Sequence, residues 1–339
     1  MTEAPPPSGT RVTACCTVLL IVGIILLFYG GEFPASYGGI AVLLVIPAAF
    51  GGLVSQLADP TAKRSALGCF VWPTLALIAL IAAAWLLFGE GAICIAMVLP
   101  LWIPAALAGA AVHRWNAARW RKWDKARVQE SVFYSASWLL LPLIALLAEA
   151  AHPPAWQHNS VSREIFVERD AELVWPLLIS IPNIGPDEGR ANFTHDVLGV
   201  PRPVDAVLRR EGSMFVRKAR WGDDIRFEEH ILTSVHAQEL KWRFVFRDNS
   251  IQRRTDRHIS PNGDVLQVQA GEYRLIRAAG GTRIRLTTHY RMRTRMGGYL
   301  GWWGERLLGD VQLNILAIIK KRAETKTMYA PSRRNGDSR

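Results

Sequence analysis

LGCFVWPTLALIALIAAAWLLF, running from Leu67 to Phe88, holds no charged side chain from end to end. Roughly 20 apolar residues of helix cross a bilayer core, and in lipid a helix satisfies each backbone polar group within its own segment. Working outward, four further apolar runs fill the first 151 residues: about Val12 to Tyr29, Tyr37 to Leu57, Ala92 to Val112 and Val132 to Ala151. The chain reads as a membrane α-helical bundle of about five spans over 1–151, followed by one polar domain. The first run is too long for a signal-peptide core and no small-x-small cleavage site follows it before Glu32 and Pro34, so a retained helix is expected.

The net charge of +11 is unevenly divided. Up to Ala151, nine Lys/Arg face seven Asp/Glu, while from His152 onward 31 face 22. All four cysteines, Cys15, Cys16, Cys69 and Cys94, lie in the apolar runs, so the polar domain has neither a disulfide framework nor a thiolate metal site.

Loop charge sets the orientation. The first and third loops carry only Glu32 and Glu90, whereas the second carries Lys63 and Arg64 and the fourth, from His113 to Ser131, carries six Lys/Arg. Basic loops stay on the cytoplasmic side. The N-terminus is then cytoplasmic, and five spans place the polar domain outside, in the periplasm if the membrane is a bacterial inner membrane. If the fifth run, with Pro142 and Glu149, does not cross, the domain is cytoplasmic instead. Trp115, Trp120 and Trp123 interleave with the cations of the fourth loop, and between two spans this reads as an interfacial helix meeting anionic lipid rather than a nucleic-acid site. No ionisable residue sits near the middle of any span, which describes an anchor rather than a transport path. Gly51, Gly52 and Gly109 allow close helix contact.

Residues 152–160 form a Pro-containing linker. A strand is expected over Val161 to Glu168, then a short helix, Ala171 to Ser180, capped by Asp170. After Pro203, period-2 alternation marks strands. Ile225, Phe227, Glu229 and Ile231 share one face; Trp242, Phe244 and Phe246 share another. Val265 to Arg277 is a further strand, and Ile284, Leu286, Thr288, Tyr290 and Met292 alternate with outward cations in the last one. A long helix, about Gly298 to Thr325, closes the domain, and 326–339 is a disordered basic tail. Strands followed by one long amphipathic helix read as an α+β domain: a curved antiparallel sheet around a C-terminal helix, with an apolar face that one helix does not entirely fill.

This order, with Val174-Trp175-Pro176-Leu177-Leu178 on the first helix, resembles the SRPBCC superfamily, the START and birch-pollen-allergen helix-grip fold. Gly199-Val200-Pro201-Arg202-Pro203, Phe227-Glu228-Glu229-His230-Ile231 and Gly280 to Leu286 carry the likeness most strongly, together with Tyr290 and the helix bearing Leu307-Leu308-Gly309-Asp310 and Ile318-Ile319-Lys320. It covers about 161–325 and none of the membrane part. It looks closest to bacterial multi-span proteins ending in a polyketide cyclase/dehydrase and lipid-transport type domain. The fold hosts carriers, cyclases, hydrolases and sensors alike, so function must be argued from the site.

The expected pocket lining is Trp175, Phe227, Glu229, Trp242, Phe244, Phe246, Tyr273, Leu286, Tyr290, Trp302 and Trp303. Glu229 is the inner-face carboxylate, readable as a proton-transfer base or as the partner of an arginine. His258 is a second candidate base, and His195, Asp196 and Asp256 lie near loops. No spacing of the HExxH type, no GxSxG elbow and no Gly-rich nucleotide loop occurs, so no metal and no cofactor is expected. Arg243, Arg247, Arg283, Arg285, Arg291 and Arg293 form an outward basic row, a solvated face or a surface for headgroups. Asn192-Phe193-Thr194 is a sequon of little weight. Three functions are compatible: a membrane-anchored module that binds a lipid-like or other apolar small molecule; a cyclase or dehydratase on an apolar ketide-like substrate, with Glu229 or His258 as base; or a structural or signalling protein whose cavity is filled. The partners expected are the lipid bilayer and that apolar ligand, with no nucleic acid; protein partners are not legible.

Overall fold

A computed structural model describes residues 8–29, 39–88, 91–120, 127–255 and 258–325. Glu32, Glu90, Arg121, Lys122, Trp123, Lys125, Asp256 and the tail 326–339, on which sequence expectations fall, lie outside the described residues. The chain divides into two compact units. The first takes Met1–Gln157 with Asp256–Val265 and Arg293–Gly297; the second takes His158–Thr255, Leu266–Met292 and Gly298–Arg339.

The first unit holds helices α1 (Ser8–Tyr29), α2 (Ile46–Ala58, preceded directly by a π-helical turn Ala41–Val45), α3 (Ala66–Phe88), α4 (Ala92–Trp120) and α5 (Arg127–Ala151). Among the described residues, five helices are long and apolar enough to cross a membrane. α4 runs eight residues beyond the expected Val112, and Arg119 stacks on Trp115 one turn earlier, 4.2 Å from the ring centre. Its core is built from Leu20, Ile46, Phe50, Leu53, Leu77, Trp102 and Trp138. Apolar side chains cover the outside as well: Leu67, Leu75, Leu86, Leu140 and Ile144 are all exposed. α2 and α4 meet where Gly51 faces the Ala106 backbone and Gly109 faces that of Ala48; a Cβ at either position would overlap the opposing chain.

Several polar groups inside this unit hold one another. Thr13 and Ser135 share a hydroxyl hydrogen bond of 2.8 Å, and Gln56 Nε2 donates to Ser135 Oγ at 2.9 Å. His113 Nε2 donates to the Asp59 carbonyl at 3.1 Å. Glu149 accepts from the Ile40 amide at 2.8 Å, so the carboxylate that ends the fifth apolar run caps the start of the second.

The second unit is a seven-stranded sheet with three helices before its last strands and one long helix after them. Its strands are β1 (Gln157–Val167), β2 (Pro203–Glu211), β3 (Met214–Trp221), β4 (Ile225–Val235), β5 (Glu239–Val245), β6 (Leu266–Ala278) and β7 (Gly281–Met292). Their order is β1-β7-β6-β5-β4-β3-β2, and every pair from β2 to β7 is antiparallel. Helices α6 (Ala171–Ile179), α7 (Phe193–Asp196) and α8 (Ser250–Arg254) are short, whereas α9 spans Gly297–Thr325. β1 starts inside the expected linker, four residues early. Asp170 occupies the N-cap of α6 with extended backbone, but its side chain makes no capping bond.

One core joins sheet, α6 and α9. Val174, Trp175 and Leu178 from α6 and Leu316, Ile318 and Ile319 from α9 pack on Leu240, Trp242, Tyr273, Ile284 and Leu286. Along β7 the inward positions Ile284, Leu286, Thr288, Tyr290 and Met292 are all buried, and Thr287, an outward position, is buried with them. A sheet packed against one long C-terminal helix is the arrangement that the helix-grip resemblance implies.

Candidate ligand-binding site

Strand register decides what the inner face presents. β3 and β4 align Arg217 with Glu229, Ala219 with Phe227 and Trp221 with Ile225. β4 and β5 then align Glu229 with Phe244 and Ile231 with Trp242. Next along the sheet, Trp242 stands opposite Gly271 and Leu240 opposite Tyr273. A Cβ at Gly271 would land in the Trp242 indole, so the missing side chain makes the space in which that ring lies.

At the centre of this face is an ion pair that sequence reading did not find. Arg217 Nε donates to Glu229 Oε2, and Arg217 Nη1 donates to the Leu178 carbonyl of α6. Both side chains are buried. The guanidinium carbon lies 4.6 Å from the Trp242 ring centre and 5.6 Å from that of Tyr273. Burial works against the charge on Arg217, but Glu229 and Tyr273 together more than offset it and raise the arginine pKa above its ordinary value. Burial pushes the Tyr273 phenol up to about 12. Of the two readings open for Glu229, the structure has the arginine partner. A carboxylate holding a buried guanidinium is not a free base.

Beyond this pair the lining is mostly aromatic. Trp221 and Phe227 meet edge to face at 5.7 Å; Phe227 lies 6.0 Å from both Phe244 and Phe246, and those two stack within 7° of parallel. Ile225, Ala219 and Ile251 complete the cluster. Trp221, Phe244 and Phe246 are only half-buried. The expected lining residues therefore fall into distinct environments. Trp175, Trp242, Tyr273 and Leu286 are interior packing of the main core. Tyr290 belongs to a separate small cluster with Val161 and Met292. Phe227, Phe244 and Phe246, joined by Trp221, make a partly open aromatic surface.

Trp302 is a correction. It is 60% exposed, whereas its neighbour Trp303 is buried. Adjacent helical residues point about 100° apart, so only one of two consecutive indoles can face a sheet. His258 is buried in the segment that clusters with the first unit, and Glu229 in the second. His195 is also buried. Its Nδ1 donates to the Val200 carbonyl at 2.8 Å, and its ring meets Trp221 at 6.2 Å. Burial lowers the pKa of His195, with opposition from the Val200 bond and reinforcement from Arg202. The neutral ring ties the 192–200 loop to the aromatic cluster. Asn192, the sequon residue, caps α7 by accepting from the His195 amide at 2.9 Å.

Part of the outward positive charge is neutralised. Arg283 and Arg285 pair with Glu164, Arg247 with Glu228, and Arg274 and Lys241 with Glu239 and Glu272. The hydrogen bond from Arg247, reinforced by His230, holds Glu228 down to about 2. Of the outward row, Arg247, Arg283 and Arg285 are charge-paired, whereas Arg291 donates to Gln267 Oε1 and Arg293 to the Pro154 carbonyl. Among the described residues no three His, Cys, Asp or Glu side chains come together as a metal site.

No family model and no curated protein matches this sequence. Among solved structures, the chain is similar to the di-domain aromatase/cyclase BexL from the BE-7585A biosynthetic pathway at 13% identity, over 58% of this chain and 60% of that one, with a TM-score of 0.32. It is similar to the Zhui aromatase/cyclase from Streptomyces sp. R1128 at 17% identity, over 52% of this chain and 99% of that one, with a TM-score of 0.31. It is also similar to norcoclaurine synthase from Thalictrum flavum at 10% identity, over 52% and 90% of the two chains, with a TM-score of 0.32.

Proposed function

We propose that this protein is a membrane-anchored binding module that holds an apolar, ring-containing small molecule against Trp221, Phe227, Phe244 and Phe246. The observation that carries this reading is the partly open aromatic cluster beside a sealed ion pair. Burying about 300 Å² of ligand there contributes some 7 kcal/mol gross at about 25 cal/mol per Å², from which the cost of ordering and association is subtracted. The micromolar range is reached only where those costs are small. The Arg217–Glu229 pair forms the polar floor of the site and gives an incoming ligand no unpaired carboxylate.

The membrane role of the first unit belongs to the same proposal. Its outward Leu, Ile and Phe side chains suit hydrocarbon, and the loop charges support a cytoplasmic N-terminus with the binding domain on the opposite side. The cyclase reading needs a base on the inner face, and Glu229 is already engaged by Arg217.

A titration tests the site. With the full chain in lipid nanodiscs, a naphthalene-type probe is expected to quench tryptophan emission saturably, and Phe244→Ser is expected to weaken the apparent affinity about tenfold. Non-saturable quenching, identical in the variant, would sink the assignment of the ligand to this cluster.

A further inference from the structure

We infer that the β2–β3 hairpin tip is a docking element for an anionic lipid surface. The chain turns there through Gly212, at a φ of +60°, and the register pairs Arg210 with Phe215 and Glu211 with Met214. Met214 and Phe215 are 52% and 50% exposed, two apolar side chains adjacent at the end of a ribbon. Neither joins any of the buried clusters. Arg209 and Arg210 are exposed beside them, and the Arg210 guanidinium sits 6.0 Å from the Phe215 ring.

Many arginines elsewhere on the sheet are compensated. Arg220, Arg247, Arg274, Arg283 and Arg285 each hold a carboxylate. Arg209 and Arg210 hold none among the described residues; Arg210 reaches only the Gly212 carbonyl, and Glu211 is taken by Lys218 at 2.6 Å. Two uncompensated cations flanking two exposed apolar side chains match the layering of an anionic bilayer surface. Phosphates lie at headgroup depth for the guanidinium groups, and acyl boundary lies beneath them for Met214 and Phe215. A protein partner with an acidic rim would match the cations but gives no reason for their placement around a narrow apolar tip.

The test uses the full chain with Cys15→Ser, because Cys15 is exposed and the other cysteines are buried. Ser213→Cys at the tip is labelled with an environment-sensitive NBD fluorophore. Nanodiscs and added vesicles are made either of phosphatidylcholine alone or of phosphatidylcholine mixed with phosphatidylglycerol. In anionic lipid, whether it forms the disc or is added, the emission is expected to shift to the blue and to be quenched by spin-labelled lipid. Raised ionic strength should reverse the shift without any further substitution. Replacing both arginines with glutamine should weaken the response on the order of 30-fold, and M214S with F215S should abolish the quenching. A solvated emission that is the same in all lipids, or an equal shift in neutral lipid that salt does not touch, would overturn the inference.

Discussion

Arg217 and Glu229 stand opposite each other across β3 and β4, both buried, with the guanidinium lying over the Trp242 ring. The pair divides the inner face of the sheet. Toward α6 and α9 lies packed interior; toward Phe227 and Phe246 lies the open aromatic surface. Arg217 also donates to the Leu178 carbonyl of α6, so each charge depends on the other in a fixed, buried setting, and that dependence governs the first prediction.

Removing one partner is expected to cost far more than removing both. Glu229→Gln leaves Arg217 buried without its counter-charge, a loss of about 3–5 kcal/mol of folding stability. The double variant Arg217→Met, Glu229→Leu should recover most of it, since an apolar pair of similar size needs no desolvation. Denaturant midpoints of the three proteins decide this. A double variant less stable than Glu229→Gln, as additive losses would make it, would mean that the pair is not coupled.

Gly271→Ala is expected to displace the Trp242 indole, because its Cβ falls on that ring. Overpacking of this kind costs about 1–3 kcal/mol. Near-ultraviolet circular dichroism should report the moved indole as well, whereas a glycine valued only for backbone freedom would leave that signal unchanged.

His195 gives the domain an acid sensitivity of known sign. Its folded pKa is lowered by burial below the ordinary 6.5, so in acid the unfolded chain takes up a proton that the folded one resists. The stabilisation is complete above about 6.5 and falls as the pH drops below it. Melting temperature should therefore decline on that side, with a shallower decline in His195→Gln.

Glu228 acts in a lower window. Held near 2 by Arg247, it stabilises the fold fully above its ordinary 4.5 and loses that contribution as the pH falls toward 2. Glu228→Gln should flatten the stability profile between those limits. An unchanged slope there would assign the acid sensitivity to other carboxylates.

Much of this architecture was readable from pattern, and the failures have physical causes. The β7 alternation is legible because one face is wholly buried, so each inward position carries an apolar or small side chain. Arg217 was invisible for the opposite reason. In β3 both Val216 and Arg217 are buried, which breaks period 2, and the cation-rich run Arg217-Lys218-Ala219-Arg220 looks like an outer face. Only the register across to Glu229 shows why an arginine is inside. Helical period separates Trp302 from Trp303 but does not say which of them points inward. Glu149 reads as a charge ending an apolar run; its cap on the next-door helix at Ile40 is a contact between residues 109 positions apart, which no local window contains.

The most direct test of the central claim is native mass spectrometry, with organic extraction, of the full chain purified from its host membrane. The account predicts a defined apolar molecule released at near-stoichiometric yield, retained in Glu229→Gln if that variant folds and lost when Phe244 and Phe246 are both replaced by serine. A clean apo mass, with no uptake from a lipid extract, would contradict it and leave the aromatic cluster as ordinary packing.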